Sequence, residues 1–294
     1  MARIVRILVQ TTIGFDPEDW SVERLSLMTD YLRSLRENDL SFEVTARNRE
    51  ASAGGDDPVL VALDRSRFDE VWLFALDVGH GLTARECAAI TRFREDGGGV
   101  LATRDHQDMG SSLCTLGGIG AAHFFHSRSR EPDPERQAVD DVETPTISWP
   151  NYHSGRNGDF QRISAVAPTH ELMRRASGQA IELLPAHPHE GAVGVPAGEA
   201  GARVVAQGTS KTTGRAFNLV VAFERVHRPS GALLGRGVAD SSFHHFADYN
   251  WDTSYGAPSF VTEPPGDGMQ TEPRARPDVE RYVRNLAVWL APSR

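Results

Sequence analysis

The chain has 294 residues, of which 39% are hydrophobic and 24% charged, and it carries a net charge of −9. That balance suits a soluble globular protein with a sizeable core. With Lys211 as its single lysine, it excludes a basic stripe for a nucleic-acid backbone. No apolar run approaches the roughly 18 residues that span a membrane, and Met1 to Val9 reads as a charged strand, not a signal peptide. Cys87 and Cys114 stand in no metal spacing, so a reducing, cytoplasmic setting without disulfides is expected.

Ile4–Val9 is a β-branched first strand, closed by Gln10, Thr11 and Thr12. Asp16-Pro17-Glu18-Asp19 reads as a helix start, and Leu25, Met28, Leu32 and Leu35 form its buried stripe. Ser41–Ala46 is a second strand, and 58–63 fits either a short helix or an extended segment. Val71–Leu76 is a continuous apolar run, expected at the centre of a sheet. Thr83-Ala84-Arg85-Glu86 is a capping box. The helix it opens buries Cys87, Ile90 and Phe93 and stops at Gly97-Gly98-Gly99. Val100–Thr103 then forms a buried strand that ends in Arg104-Asp105-His106. The alternation is a βαβ series, hence a parallel sheet whose carboxyl edge binds ligands.

A short helix is expected over 111–120, and a surface excursion over 127–143. Residues 148–161, with Tyr152, His153, Asn157 and Asp159 between glycines, read as a functional loop. Arg203–Gln207 and Ala216–Phe223 should pair as a hairpin, and Gly237–Asp240 is a last short strand leading into Ser241–Trp251. Residues 261–276 form a Pro/Gly-rich loop, and Val279, Tyr282, Val283, Leu286, Trp289 and Leu290 mark a C-terminal helix over 278–291. The expected architecture is one α/β domain over 1–294. Its sheet is mostly parallel and flavodoxin-like with helices on both faces, extended by β-rich and loop insertions over about 127–230.

The run from Asp69-Glu-Val-Trp-Leu through Leu82-Thr-Ala-Arg-Glu to Asp96-Gly-Gly-Gly-Val-Leu101 resembles the class I glutamine amidotransferase-like superfold in its trehalose-utilisation (ThuA-like) branch. Gly235-Arg236-Gly237-Val238 through His244 is similar to that branch's late strand, which also ends near a histidine. The resemblance covers roughly 1–125 and 230–290, and its motifs mostly encode fold. It implies this fold and this site edge, with a dimer as the superfold's reasonable assembly. A glutamine amidotransferase carries Gly-x-Cys-x-Gly where this chain has Arg104-Asp105-His106-Gln107, so the resemblance argues against glutamine hydrolysis. His187-Pro188-His189-Glu190 is similar to the amidotransferase His-Pro-Glu but is broken by an extra histidine.

Of eleven histidines, His106, His153, His187, His189, His244 and His245 lie in polar segments that follow expected strands, accompanied by Asp105, Asp159, Glu190, Asp240 and Asp248. Imidazoles and carboxylates are both the ligand set of ions such as zinc or manganese and the parts of acid/base pairs. Of Asp105 and His106, adjacent in a loop, one is expected to face the site. His187 and His189, two apart on an extended backbone, should face one side. One function reading is an enzyme that hydrolyses or isomerises a small polar, sugar-like substrate. His106 is the acid/base, Asp105 or Asp240 its orienting partner, and His244 a second acid/base or ligand. Gln10, Arg104, Tyr152, His153, Asn157, Asp159 and His245 would contact the substrate. An ion, if used, would draw on His106, His187, His189, Glu190 and His244. The other reading is a non-catalytic ligand-binding or interaction domain on the same scaffold. Gly118-Ile119-Gly120 does not follow the first strand, so no nucleotide cofactor is expected.

Overall fold

The computed structural model describes residues 3–37, 39–199, 201–227, 231 and 233–292. The chain begins with β1 (Arg3–Thr11), α1 (Ser26–Ser34), β2 (Arg36–Glu37), β3 (Leu40–Arg47), α2 (Pro58–Val61), β4 (Glu70–Phe74), α3 (Ala84–Glu95) and β5 (Gly99–Thr103). An insertion holds β6 (Phe160–Arg162), β7 (Ser164–Ala165), β8 (Leu183–Pro185), β9 (Ala202–Thr209), β10 (Ala216–Phe223) and β11 (Val226–His227). Next come β12 (Leu233–Leu234), β13 (Gly237–Asp240), α4 (Asp248–Trp251), α5 (Gly268–Thr271) and α6 (Ala275–Leu290). The far edge expected for the insertion, near 230, lies outside the described residues.

Among the described residues one sheet runs β2-β3-β1-β4-β5-β13-β10-β9-β7. Its middle, β3-β1-β4-β5-β13, is parallel. Taken in chain order these five strands lie 2-1-3-4-5, the flavodoxin-like arrangement. The hairpin β9–β10 extends the sheet antiparallel to β13. This is the mixed, mostly parallel α/β fold that the βαβ series implies. Pleating sends Val5, Ile7 and Val9 to one face, with Met28 and Leu32 of α1 and Val279, Val283 and Leu286 of α6. Leu8, Val71, Leu73, Val100 and Ala102 face the other way, onto Leu60 of α2 and Cys87, Ile90 and Phe93 of α3.

Both halves of the capping box form: the Glu86 amide donates to Thr83 Oγ1 (3.2 Å) and the Thr83 amide to Glu86 Oε2 (2.7 Å). Other expectations change. Asp16–Trp20 is a turn, and helix begins only at Val22. Its regular part is capped from afar, because the Asp248 carboxylate accepts from the amides of Ser26 and Leu27 (2.9 and 2.8 Å). The expected helix over 111–120 is broken into 3-10 turns, Ser111–Thr115 and Gly120–Ala122. Gly110 enters it at φ +79°, where an added Cβ would meet Ala75 and Arg104 within 3 Å. Residues 127–143 are not wholly a surface excursion: Ala138, Asp140 and Asp141 are buried. The 261–276 loop contains α5, and α6 starts at Ala275.

The register of β5 and β13 sets up the site. Asp240 pairs with Thr103, so both strands release their chains side by side at one edge, and the Phe243 amide donates to the Arg104 carbonyl (2.8 Å). The segment carrying His187–Glu190 passes between them. Gly191 permits this: an added Cβ would stand 2.6 Å from the carbonyl oxygens of both Asp105 and Ser241.

Candidate active site

A cavity of about 160 Å³ opens at this edge. Asp105 and His106 from the end of β5, His187 and His189 from the insertion, and His244 from the turn after β13 all line it. Asp105 and His106 both face inward, against the expectation of one. The strand has ended there, and Gln107 turns the chain at φ +48°, so strict alternation no longer applies.

Asp105, His187 and His244, all buried, present ligand atoms that lie within 4.8 Å of one another and can hold a metal ion. Asp105 Oδ2 is 3.1 Å from His187 Nε2 and 3.7 Å from His244 Nε2. The two imidazoles stack, with ring centroids 3.5 Å apart. Their protons can be placed from their partners. Asn250 Nδ2 donates to Asn157 Oδ1 (2.9 Å) and to the Ala186 carbonyl (3.0 Å). Its other end, Oδ1, therefore accepts from His244 Nδ1 (2.8 Å), and Asn157 Oδ1 accepts from His187 Nδ1 (2.8 Å). With Nδ1 of both rings carrying the proton, both Nε2 atoms are bare lone pairs. Burial and the neighbouring imidazoles keep His187 and His244 neutral, well below the usual histidine range. The Asp105 Oδ2 and His187 Nε2 atoms are buried without a hydrogen-bond partner, while Asp105 Oδ1 accepts from Ser242 Oγ (2.9 Å).

His106 Nε2 stands 3.8 Å from Asp105 Oδ2, and burial lowers this imidazole to about 4. His189 packs edge-on against both His106 and His187, with centroids 5.5 and 5.2 Å apart. It lies between two carboxylates: Nδ1 is 3.3 Å from Asp141 Oδ2, and Nε2 is 3.3 Å from Glu263 Oε1. Trp20, Met109, Thr144, Ile147, Phe260, Val261 and Glu263 complete the wall. None of these was singled out in the sequence. Only the aromatic and acidic character of Trp20, Phe260 and Glu263 was a signal: Trp20 directly follows the expected helix start, Phe260 directly precedes the expected 261–276 loop, and Glu263 lies in that loop.

Apart from Asn157, the other expected site residues go elsewhere. His245, next to His244, is fully buried between two carboxylates, with Nδ1 donating to Asp240 Oδ1 (2.7 Å) and Nε2 to Glu190 Oε1 (2.6 Å). Burial opposes its charge, but Asp240 and Glu190 overcome that and raise it to about 10. Tyr282 donates to Asp240 Oδ2 (2.7 Å), and Gln161 donates to both Glu190 oxygens (2.8 and 2.9 Å). Glu190 and Asp240 are thus spent on His245 rather than on the cavity. Arg104 is fully buried with its guanidinium donating to the carbonyls of Met109, Gln107 and Phe124 and covering the Phe125 ring. Burial lowers it to about 9. Gln10 accepts from Arg47 Nη1 (2.8 Å), and Tyr152 stacks on Phe217 (4.5 Å). Asp159 accepts from the Gly268 amide (3.1 Å) beside a separate groove that also holds Lys211. His153 is outside the cavity wall, whereas Asn157 lines the cavity as expected and also accepts from His187 Nδ1.

Among the described residues no helix is long and apolar enough to cross a membrane. No protein-family model and no curated protein matches the chain. Among solved structures, the chain is similar to a putative ThuA-like protein from Parabacteroides merdae (12% identity, 98% of this chain and 90% of that one, TM-score 0.44). It is also similar to the glutaminase domain of Trypanosoma brucei CTPS with bound acivicin (13%, 99% and 98%, TM-score 0.46). A third is the mmIFT52 N-terminal domain (13%, 83% and 88%, TM-score 0.44).

Proposed function

We propose that the chain is an enzyme that hydrolyses or isomerises a small polar molecule, using a divalent ion, zinc or manganese, held by Asp105, His187 and His244. The observation that carries this is the gathering of two proton-free Nε2 atoms and one carboxylate oxygen within 4.8 Å of one another beside a cavity. A proton on Asp105 would serve the His187 contact at 3.1 Å but not His244 at 3.7 Å; a cation serves all three. Ligands about 2.1 Å from a tetrahedral ion lie about 3.4 Å apart, which fits both separations. The outward Nδ1–H bonds to Asn157 and Asn250 are the partners that orient metal-bound imidazoles.

An ion bound there supplies Lewis acidity and makes a water more acidic. The protein's own groups do the rest. His106, on the same wall, is within reach to take and return a proton. Trp20, Phe260 and Val261 give the cavity an apolar side. Glutamine hydrolysis is not proposed, because Arg104-Asp105-His106-Gln107 follows β5 in place of a nucleophile cysteine.

Elemental analysis of tag-free protein after metal incubation and dialysis tests the ion. About one ion per chain is expected, lost in Asp105→Ala and in the His187→Ala/His244→Ala pair, and kept in Glu190→Gln. Substoichiometric metal in the parent protein removes the ion from the reading. Turnover of small neutral esters, amides and glycosides, lost in His106→Ala with the ion retained, distinguishes the enzyme from a ligand-binding domain.

A further inference from the structure

The geometry points to Glu263 as a specificity-determining residue that makes this cavity select uncharged, hydrogen-bond-donating molecules and turn away phosphate and carboxylate groups. This rests on the metal reading above. Among the described residues the cavity wall contains no arginine and no lysine. Arg104, which follows β5 into the wall region, is withdrawn: its guanidinium is spent on three backbone carbonyls and an aromatic face. Lys211 lies on the separate groove. The wall instead carries a second carboxylate, Glu263, whose nearest charged or titratable partner is the His189 imidazole at 3.3 Å. Its side chain keeps 16% of its exposure, so it faces what enters.

The charge count gives the selection. A divalent ion against Asp105, Glu263 and Asp141, the last two flanking His189 at 3.3 Å each, leaves no excess positive charge in this small, partly desolvated space, whether or not His189 carries a proton. An uncharged ligand leaves that balance intact, placing an oxygen toward the ion and a hydroxyl or amide N–H toward Glu263. An anion brings a charge that no cation on the wall meets, next to a carboxylate in a medium where screening is weak. Met109, Ile147, Phe260 and Val261 offer apolar contact, and Trp20, Thr144 and Asn157 add only uncharged polar groups, so shape and neutrality remain as the recognition chemistry.

The test loads the full chain with cobalt(II) and follows its visible absorption while titrating inorganic phosphate, acetate and glycerol. In the parent protein phosphate and acetate are expected to half-saturate at concentrations at least tenfold higher than in Glu263→Gln. Glycerol should respond within twofold in both, and Glu263→Asp should behave as the parent. A merely structural role for Glu263 would move all three probes together and overturns the assignment, as does equal anion affinity in parent and Glu263→Gln. Failure of cobalt to bind the folded parent overturns the metal reading, and this inference with it.

Discussion

His244 and His245 are neighbours on one 3-10 turn, both buried, and each faces carboxylates at the carboxyl edge of the sheet. What separates them is the proton count. Around His245 donors and acceptors close on themselves: two ring N–H groups meet two carboxylates, and Tyr282 and Gln161 supply further donors to those same carboxylates. Around His244 the ring proton goes outward to Asn250, and the inward nitrogen faces Asp105 with no proton between them. In the first cluster the imidazole and both carboxylates are partnered within the protein, and it functions as structure. The second is short of one positive charge, and this deficit, rather than the residue types, marks a site. Both clusters are made of histidines and acids, so composition alone does not distinguish them.

The largest expected effect breaks the closed cluster. His245→Ala leaves Asp240 and Glu190 facing each other across a buried gap, and removal of one partner from a buried ionic group costs about 3–5 kcal/mol. Urea denaturation should show that loss. Because the open cluster uses His244 and not His245, the protein that remains folded should still take up about one ion per chain. Loss of the ion at full stability would reverse the roles assigned to the two clusters.

This difference sets what was legible in advance. The capping box at Thr83 and Glu86 is local, so four residues were enough to read it. The parallel core was legible because β1, β4, β5 and β13 are short apolar runs with helix or loop between them. The site edge followed, since His106 and His244 each trail a strand of the same polarity. Asp105 was read as a partner of His106, not as a ligand, because its oxygen meets His187 across 82 positions of sequence and only folding sets that distance. Glu190 looked the better ligand beside His189, and it is drawn away by Gln161 and His245, which come from other segments. Trp20 and Glu263 carried no motif at all. Their role depends on how two loops meet above the sheet.

A third buried imidazole extends the comparison. His123 has neither the carboxylates of His245 nor the amide partners of His187 and His244. Burial, with the Arg104 cation adding to it, lowers it to about 3, so it is neutral in the fold. The unfolded chain protonates near the ordinary histidine value of about 6.5. A depressed native value gives stability that is fully present above that point and is lost as pH falls from about 6.5 toward about 3. At pH 5 the accumulated loss is about 2 kcal/mol, from about 1.5 pH units at about 1.4 kcal/mol each. His123→Leu should remove this part of the acid limb, so its stability relative to the parent should improve by about that amount between pH 8 and pH 5. An unchanged difference across that range would mean that His123 is protonated in the fold, against its surroundings.

The smallest effect is also the one that probes the proton placement itself. Asn250 is the hinge of that argument: its Oδ1 receives His244 Nδ1–H, and its Nδ2 holds Asn157, which in turn receives His187 Nδ1–H. One amide thereby sets the tautomer of both imidazoles while touching no cavity surface. Outer partners of this kind typically change ion affinity by 10–100-fold when removed. Here His244 loses its partner outright, but His187 keeps Asn157, so the lower end is expected, about tenfold or about 1.4 kcal/mol. Competition with a chromophoric chelator measures it. Asn250→Asp separates orientation from packing. Its carboxylate still accepts from His244 Nδ1 but no longer donates to Asn157 or to the Ala186 carbonyl, so it should recover most of the affinity lost in Asn250→Ala. Stability should not recover, because Asn157 Oδ1 and the Ala186 carbonyl remain without that donor in both variants. If Asn250→Ala lowers stability while ion affinity stays at the parent value, the two imidazoles do not depend on Asn250 for their tautomer, and the bare Nε2 pair needs another cause.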